Sequence, residues 1–191
     1  MKIKLKEVFN IPNTLCYIRI LLIPFIVMTY INASEPREYY LASFLILLSG
    51  LTDTFDGYIA RHFNQITELG KAIDPVADKL TQLAILFCLI TKYKYMFIVA
   101  IIFLIKEGTQ GVLALFFMTK GKKIDGALWF GKISTIAFYV ITFIIIAFPS
   151  LNPVIVNVLM ATTGFFLLFS FFNYLKAFND LRKSEPKQNN N

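Results

Sequence analysis

The chain has 191 residues, of which 57% are hydrophobic and 16% are charged, and its formal net charge is +7. Its apolar residues fall in runs close to the length of about 20 residues that crosses a bilayer, which argues against a water-soluble globule. The cations are not part of a basic, aromatic-rich soluble module that could hold a strand, so we expect no nucleic-acid partner.

The apolar runs predict six membrane-spanning helices, and the connections between them are too short to hold another domain. In chain order, the predicted spans are residues 12–32, 39–58, 72–91, 96–118, 128–149 and 153–175. The predicted fold is an all-α integral membrane protein. We divide the chain into an N-terminal interfacial segment (1–11), a membrane domain (12–176) and a polar tail (177–191).

The N-terminal segment alternates Lys2, Lys4 and Lys6 with apolar residues, a pattern that suits a stretch lying on an anionic membrane surface. A solvated basic tail is the alternative. The first span is predicted to remain as a helix and not to be a cleaved signal peptide, because it contains Arg19 and Pro24 and lacks a small-residue cleavage site.

The distribution of cations predicts a cell-membrane protein with both termini in the cytoplasm, because cytoplasmic loops carry an excess of Lys and Arg. With that orientation the outer loops hold only Arg37, Lys92 and Lys94. The cytoplasmic segments hold Lys2, Lys4, Lys6, Arg61, Lys71, Lys120, Lys122, Lys123, Arg182, Lys183 and Lys187. Cys16 and Cys88 fall inside apolar runs without paired spacing, so we expect core thiols that are neither disulfide-bonded nor metal ligands.

Four aspartates lie where acids are costly, at about 2.5 to 3.5 kcal/mol for each charge within a span. Asp53 and Asp56 are three residues apart near the cytoplasmic end of the second span, and Asp74 and Asp78 are four apart near the start of the third. Each spacing puts a pair on one helix face. A short connection should make these helices antiparallel neighbours, so that the four carboxylates meet in one pocket near the cytoplasmic face.

Clustered carboxylates repel one another unless cations hold them together, and oxygen-only ligands select hard divalent ions. Four carboxylates can hold two such ions, and a two-metal clamp suits displacement at phosphorus. As an alternative, Asp74 or Asp78 pairs only with Lys71, Lys79 or Arg61. Small residues, Gly57 and Ala60, leave room for a ligand beside the acids, and the Arg61 guanidinium suits a phosphate.

These residues form the pattern Asp53-x2-Asp56-Gly57-x2-Ala60-Arg61-x8-Gly70-x3-Asp74-x3-Asp78. The pattern resembles the signature of the CDP-alcohol phosphatidyltransferase family at every defined position. The resemblance implies that the four aspartates hold two Mg²⁺ or Mn²⁺ ions and that Asp78 is also the catalytic base. It implies that CDP-diacylglycerol is the donor, that CMP leaves, and that the enzyme is a homodimer. The residues that would border the donor are Gly57, Ala60, Arg61, Thr67 and Gly70.

Within the family, the opening Asn10-Ile11-Pro12-Asn13-Thr14 and the stretch from Gly70 to Leu80 are most similar to members whose acceptor is glycerol 3-phosphate. Such an acceptor needs cations, for which Arg19, Lys106 and Lys132 are the candidates. Lys106 can instead form a neutralising pair with Glu107. Phosphatidylglycerol, inositol phosphate and serine are the alternative acceptors. A divalent-cation transporter is the alternative from another class, because intramembrane carboxylates also line ion pathways.

Overall fold

The computed structural model describes residues 10–63, 65, 67–119 and 128–183, without the side chains of Thr54, Arg61, Glu68 and Lys71. Every secondary-structure element in these residues is an α-helix. The helices are α1 (Ile11–Asn32), α2 (Tyr39–His62), α3 (Glu68–Lys92), α4 (Met96–Thr119), α5 (Trp129–Ala147) and α6 (Pro153–Lys183). The predictions for residues 1–9, for the basic connection before α5 and for the tail from residue 184 lie outside the described residues.

The helices occupy the predicted places but extend beyond several of the apolar runs. The second reaches His62, the third begins at Glu68, and the last continues to Lys183. Polar and charged side chains such as Glu, Lys and Arg are good helix formers, so an apolar run does not mark the end of the helix. The connection between α2 and α3 therefore consists of residues 63–67. It is shorter than the connection 59–71 that the predicted spans left between these helices.

Four of the helices, α1, α4, α5 and α6, are long and apolar enough to cross a membrane. Large apolar side chains point outward, among them Leu21 and Phe25 on α1 and Val112 and Leu115 on α4, each more than half exposed. An exposed apolar surface of this kind suits lipid. The prediction of an all-helical integral membrane protein is confirmed. That α2 and α3 cross the membrane, and that both termini are cytoplasmic, stay predictions.

The chain divides into two compact units. The first consists of Met1–Lys94 and Thr142–Asn152, and in it α1 packs against both α2 and α3. The start of α1 is fixed by Asn10, whose Oδ1 accepts from the Asn13 backbone N–H at 2.9 Å. The Asn10 Nδ2 donates to the Gln65 carbonyl at 3.0 Å, so one side chain joins α1 to the α2–α3 connection.

The second unit consists of Tyr95–Ile141 and Pro153–Asn191, and in it α4 packs against α6. Its core includes a ring cluster formed by Phe117, Phe130, Tyr174 and Phe178. Phe130 meets Tyr174 edge-on with ring centroids 4.8 Å apart, a favourable aromatic geometry. The predicted limits of the membrane domain, 12–176, stay a prediction.

Candidate functional site

One guanidinium of α1 joins three of the four predicted aspartates. Arg19 is 1% exposed, and its Nη1 lies 2.7 Å from Asp53 Oδ1 and 3.3 Å from Asp74 Oδ1. Its Nη2 donates to Asp56 Oδ2. Asp53 and Asp56 come from α2 and Asp74 from α3. The helix packed against both acid-bearing helices thus supplies the cation on which their carboxylates converge.

The three carboxylates differ in their access to ligands. The Asp56 side chain is 4% exposed, whereas those of Asp53 and Asp74 are 45% and 49% exposed. An ionised carboxylate has two oxygens and about four acceptor directions, so contact with Arg19 leaves capacity for further donors or a metal ion. The Asp56 carboxylate is therefore buried within the cluster, whereas the Asp53 and Asp74 carboxylates are accessible to a ligand.

Cys16 adds a sulfur to this cluster. Its Sγ–H donates to Asp56 Oδ2 at 3.4 Å, and Sγ lies 3.9 Å from Asp74 Oδ1. The sequence predicted a core thiol at Cys16. The thiol is buried, but its contact with the acids was not predicted. The available signal was the spacing, because Cys16 and Arg19 are three residues apart and share one face of α1.

Asp78, the predicted base, lies one turn beyond Asp74 on α3 and contacts side chains of its own helix. The Gln82 Nε2 lies 3.3 Å from both Asp78 oxygens, and the Lys79 Nζ lies 3.3 Å from Oδ2. The ion-pair alternative from the sequence is thus present for Asp78 with Lys79. Asp74, by contrast, pairs with Arg19 of another helix.

A cavity of about 300 Å³ opens beside the cluster within the first unit. It brings four of the predicted donor-binding residues, Gly57, Ala60, Thr67 and Gly70, together with Asp56 and Asp74. The lining residues are Pro12, Asn13, Cys16, Asp56, Gly57, Ala60, Gln65, Thr67, Gly70 and Asp74. The side chain of Arg61, the fifth predicted donor contact, lies outside the description.

The wall of the cavity is built where the N-termini of α1 and α3 meet. The Asn13 Nδ2 donates to Thr67 Oγ1 at 3.2 Å, and Thr67 caps α3 by accepting from the Gly70 N–H at 3.0 Å. A Cβ added at Gly70 would lie 2.5 Å from Asn13 Oδ1, so the close approach requires glycine. Both helix N-termini favour an anion here. Asn13 belongs to the opening motif of the sequence but was not among the predicted site residues.

The residues predicted to bind the acceptor belong to different units. Arg19 of the first unit contacts the carboxylates, and Lys106 and Lys132 belong to the second unit. Lys106 is buried and its Nζ lies 2.6 Å from Glu107 Oε1, which is the neutralising pair considered as the alternative. Lys132 is exposed. An acceptor role for these three cations stays a prediction.

The donor set fits a divalent cation. Ligand atoms of Cys16, Asp56 and Asp74 all lie within 4.8 Å of one another, and the half-exposed Asp53 adjoins them through Arg19. Carboxylate oxygens are the ligands that hard ions such as Mg²⁺ and Mn²⁺ prefer. The residues described can thus hold a metal ion beside the cavity.

The described residues thus form an all-helical membrane protein in which carboxylates gather beside a cavity whose helix N-termini favour an anion. The family model for CDP-alcohol phosphatidyltransferase matches residues 9–169. This range contains the whole carboxylate cluster and the cavity. The chain therefore belongs to the CDP-alcohol phosphatidyltransferase family.

Several curated relatives carry one name, CDP-diacylglycerol–glycerol-3-phosphate 3-phosphatidyltransferase. The Haemophilus influenzae protein is 35% identical over 133 residues, which are 68% of this chain and 71% of that protein. The Escherichia coli K12 protein is 34% identical over 133 residues, 68% of this chain and 72% of its own length. The Rickettsia bellii protein is 45% identical over 84 residues, so that match covers 44% of this chain and only 45% of the relative.

Proposed function

We propose that the chain transfers a phosphatidyl group from CDP-diacylglycerol to glycerol 3-phosphate and releases CMP, at the cytoplasmic face of the cell membrane. The observation that carries the proposal is the meeting of Asp53, Asp56 and Asp74 around one buried guanidinium beside a cavity. The names of the relatives support the choice of substrates.

The metal site of the proposal consists of Asp53, Asp56, Asp74 and Asp78, holding two Mg²⁺ or Mn²⁺ ions. Bound there, the ions would neutralise the charge that develops on the diphosphate as CMP leaves. Arg19 orients three of these carboxylates, because its fork contacts oxygens of both α2 and α3.

The CMP part of the donor is proposed to bind in the cavity. The absence of a side chain at Gly57 lets a ligand approach the backbone of α2, and Gly70 lines the same cavity where Asn13 packs closely against it. The N-termini of α1 and α3 favour the diphosphate, and Thr67 offers a hydroxyl. Ala60 and Arg61 complete the donor site in this proposal. Positioning of the two substrates supplies much of the rate increase.

Asp78 is proposed to take the proton from the acceptor hydroxyl at one of its carboxylate oxygens. Gln82 and Lys79 hold this carboxylate from the same helix. The acceptor oxygen then forms a bond to the phosphorus that bears diacylglycerol, while the bond from that phosphorus to the CMP oxygen breaks. A base at this position contributes a factor of about 10² to 10⁴ in similar reactions.

The proposal also names the acceptor alcohol and the oligomeric state. Arg19, Lys106 and Lys132 are proposed to supply positive charge for glycerol 3-phosphate, and the chain is proposed to form a homodimer, as the family resemblance implies. A CMP-forming cardiolipin synthase, with phosphatidylglycerol as acceptor, is the second candidate. Inositol phosphate and serine are the other acceptors to test.

The test uses the purified full-length chain in detergent with CDP-diacylglycerol, Mg²⁺ or Mn²⁺, and each acceptor in turn. We expect CMP release that requires the metal and is fastest with glycerol 3-phosphate. Faster release with phosphatidylglycerol would move the assignment to cardiolipin synthesis. Metal flux into proteoliposomes without CMP release from any acceptor would overturn the enzyme proposal in favour of a transporter.

A further inference from the structure

A second cavity, of about 580 Å³, lies between α4 and α6 within the second unit. Val99 and Ile102 belong to its wall on α4, and Ala161 and Gly164 belong to its wall on α6. The small side chains at these two α6 positions leave the space between the helices open. The volume falls within the range of about 300 to 1,000 Å³ that ligand pockets occupy. The cavity is therefore large enough for a ligand.

The cavity is a groove that opens toward the lipid-facing surface of two apolar helices. Its floor includes the buried side chains of Val99 and Met160, and its rim includes Ile98 and Phe165, each more than half exposed. Both helices are long and apolar enough to cross a membrane. An unfilled groove would forfeit dispersion contacts along its walls. In a bilayer, hydrocarbon chains are the molecules available to fill it.

The length and polarity of the groove match one acyl chain. Its polar lining residues lie at one end, with Tyr95 just before α4 and Asn157 in the second turn of α6. From Asn157 to Leu168 the groove follows α6 for about 16 Å, at about 1.5 Å per residue. The hydrocarbon of one leaflet is about 15 Å thick, half of the bilayer core. A chain that spans one leaflet therefore fits the groove.

We propose that the groove between α4 and α6 binds one acyl chain of a membrane phospholipid, whose ester groups lie at Tyr95 and Asn157. The phenol and the amide can donate hydrogen bonds to ester or phosphate oxygens. In the predicted orientation this end of both helices is the outer one, whereas CDP-diacylglycerol is proposed to react at the cytoplasmic face. The lipid of the groove is therefore not the donor, and the site does not rest on the proposed function.

The experiment measures lipid retention by the full-length chain in detergent. The delipidated chain is incubated with dioleoylphosphatidylcholine, which is neither the proposed donor nor a proposed acceptor, and native mass spectrometry counts the lipids on each chain. We expect one retained phospholipid per chain. Ala161→Phe fills the groove and should weaken retention roughly tenfold or more, because several methylenes lose their contacts. Val158→Phe adds the same ring at an exposed α6 position outside the lining and should change nothing.

A second variant makes the test independent of how well Ala161→Phe folds. Ile98→Trp narrows the groove from its exposed α4 rim and should cause the same loss. Absence of a retained lipid, or equal retention in Ala161→Phe and Val158→Phe, would overturn the proposal. A dimer that excludes the lipid and is lost in Ala161→Phe would also overturn it, because a second copy would then cover the groove. CMP release should be normal in Ala161→Phe, so lipid retention and group transfer fail separately.

Discussion

Both units of the molecule bury hydroxyls that bond to a carbonyl of their own helix, and the first unit also has buried polar contacts between helices. In the first, the buried side chains Asn13, Arg19 and Asp56 contact residues more than 30 positions away in the sequence and so connect helices. In the second, Thr163 bonds the Leu159 carbonyl of its own helix at 3.0 Å, and Lys106 pairs with its neighbour Glu107.

The difference concerns where buried charges join separate helices. A buried charge pair gives little net stability relative to apolar packing, but removing one partner is costly because the other charge stays buried. The first unit retains such pairs beside a cavity. The second unit contains the stabilising ring cluster of Phe117, Phe130, Tyr174 and Phe178 and a charge pair between neighbours on one helix, Lys106 and Glu107. Substitutions in the two units should therefore affect different properties, turnover and binding in the first and stability alone in the second.

The largest expected effect is on turnover, in the first unit. Asp78→Asn should lower the rate of CMP release by about 10² to 10⁴, because an amide cannot accept the acceptor's proton. Donor binding should largely survive. The matched control is Asp180→Asn, the same chemical change at an exposed position of α6, which should leave the rate unchanged. A near-normal rate for Asp78→Asn would remove Asp78 from its proposed role.

The next effect is on stability, measured as the free energy of unfolding in detergent. Arg19→Met should destabilise the protein by about 3 to 5 kcal/mol, since it leaves the buried Asp56 without its cation. The double variant Arg19→Met/Asp56→Asn should lose less than the sum of the single losses. The exposed pair Arg37 and Glu35 provides the control, with coupling of about 0 to 1 kcal/mol. Additive losses at Arg19 and Asp56 would contradict the coupling.

Alanine substitutions at two glycines, one in each unit, distinguish an effect on donor binding from an effect on stability alone. A Cβ at Gly70 would lie 2.5 Å from Asn13 Oδ1, and a Cβ at Gly131 would lie 2.5 Å from Tyr174 Oη. Each alanine variant should lose about 1 to 3 kcal/mol of stability through overpacking. Only Gly70→Ala should also raise KM for the CDP lipid.

Controls for the glycine pair come from the same chain. Gly108→Ala places its methyl in open space, so it should be neutral or stabilising by up to about 1 kcal/mol. Tyr174→Phe, which removes the contacted hydroxyl, should recover stability in Gly131→Ala. A raised KM in Gly131→Ala equal to that of Gly70→Ala would argue against a donor site confined to the first unit.

The smallest effect concerns the connection between α1 and α2. The backbone N–H groups of Glu35 and Ser34 donate to the Glu38 carboxylate and hold its pKa below the usual value of 4.5. Because the folded-state pKa is lowered, the stabilisation is complete above the ordinary pKa and is lost as pH falls through the lowered one. Glu38→Gln should thus reduce Tm slightly at neutral pH and not in acid. An equal reduction at both would contradict this origin.

The helices could be predicted because spans of about 20 apolar residues are set by bilayer thickness. The meeting of Asp53, Asp56 and Asp74 could be predicted from helical spacing and from the motif, whereas a shared pocket with Asp78 stays a prediction. The contacts of α1 with the aspartates could not be predicted. Neither residue type nor spacing reveals which neighbour a helix face will meet, so nothing indicated that Arg19 and Cys16 contact these carboxylates. The close approach of Asn13 to Gly70 likewise depends on the tertiary packing of two helix starts.

Binding of Mn²⁺, followed by the paramagnetic resonance of the free ion, tests most directly whether the acids of α2 and α3 form one metal site. The account predicts saturable binding by the unaltered chain. Asp56→Asn and Asp74→Asn, on different helices, should each weaken it at least roughly tenfold, while Asp180→Asn should have no effect. Binding that survives both substitutions unchanged would contradict a shared site.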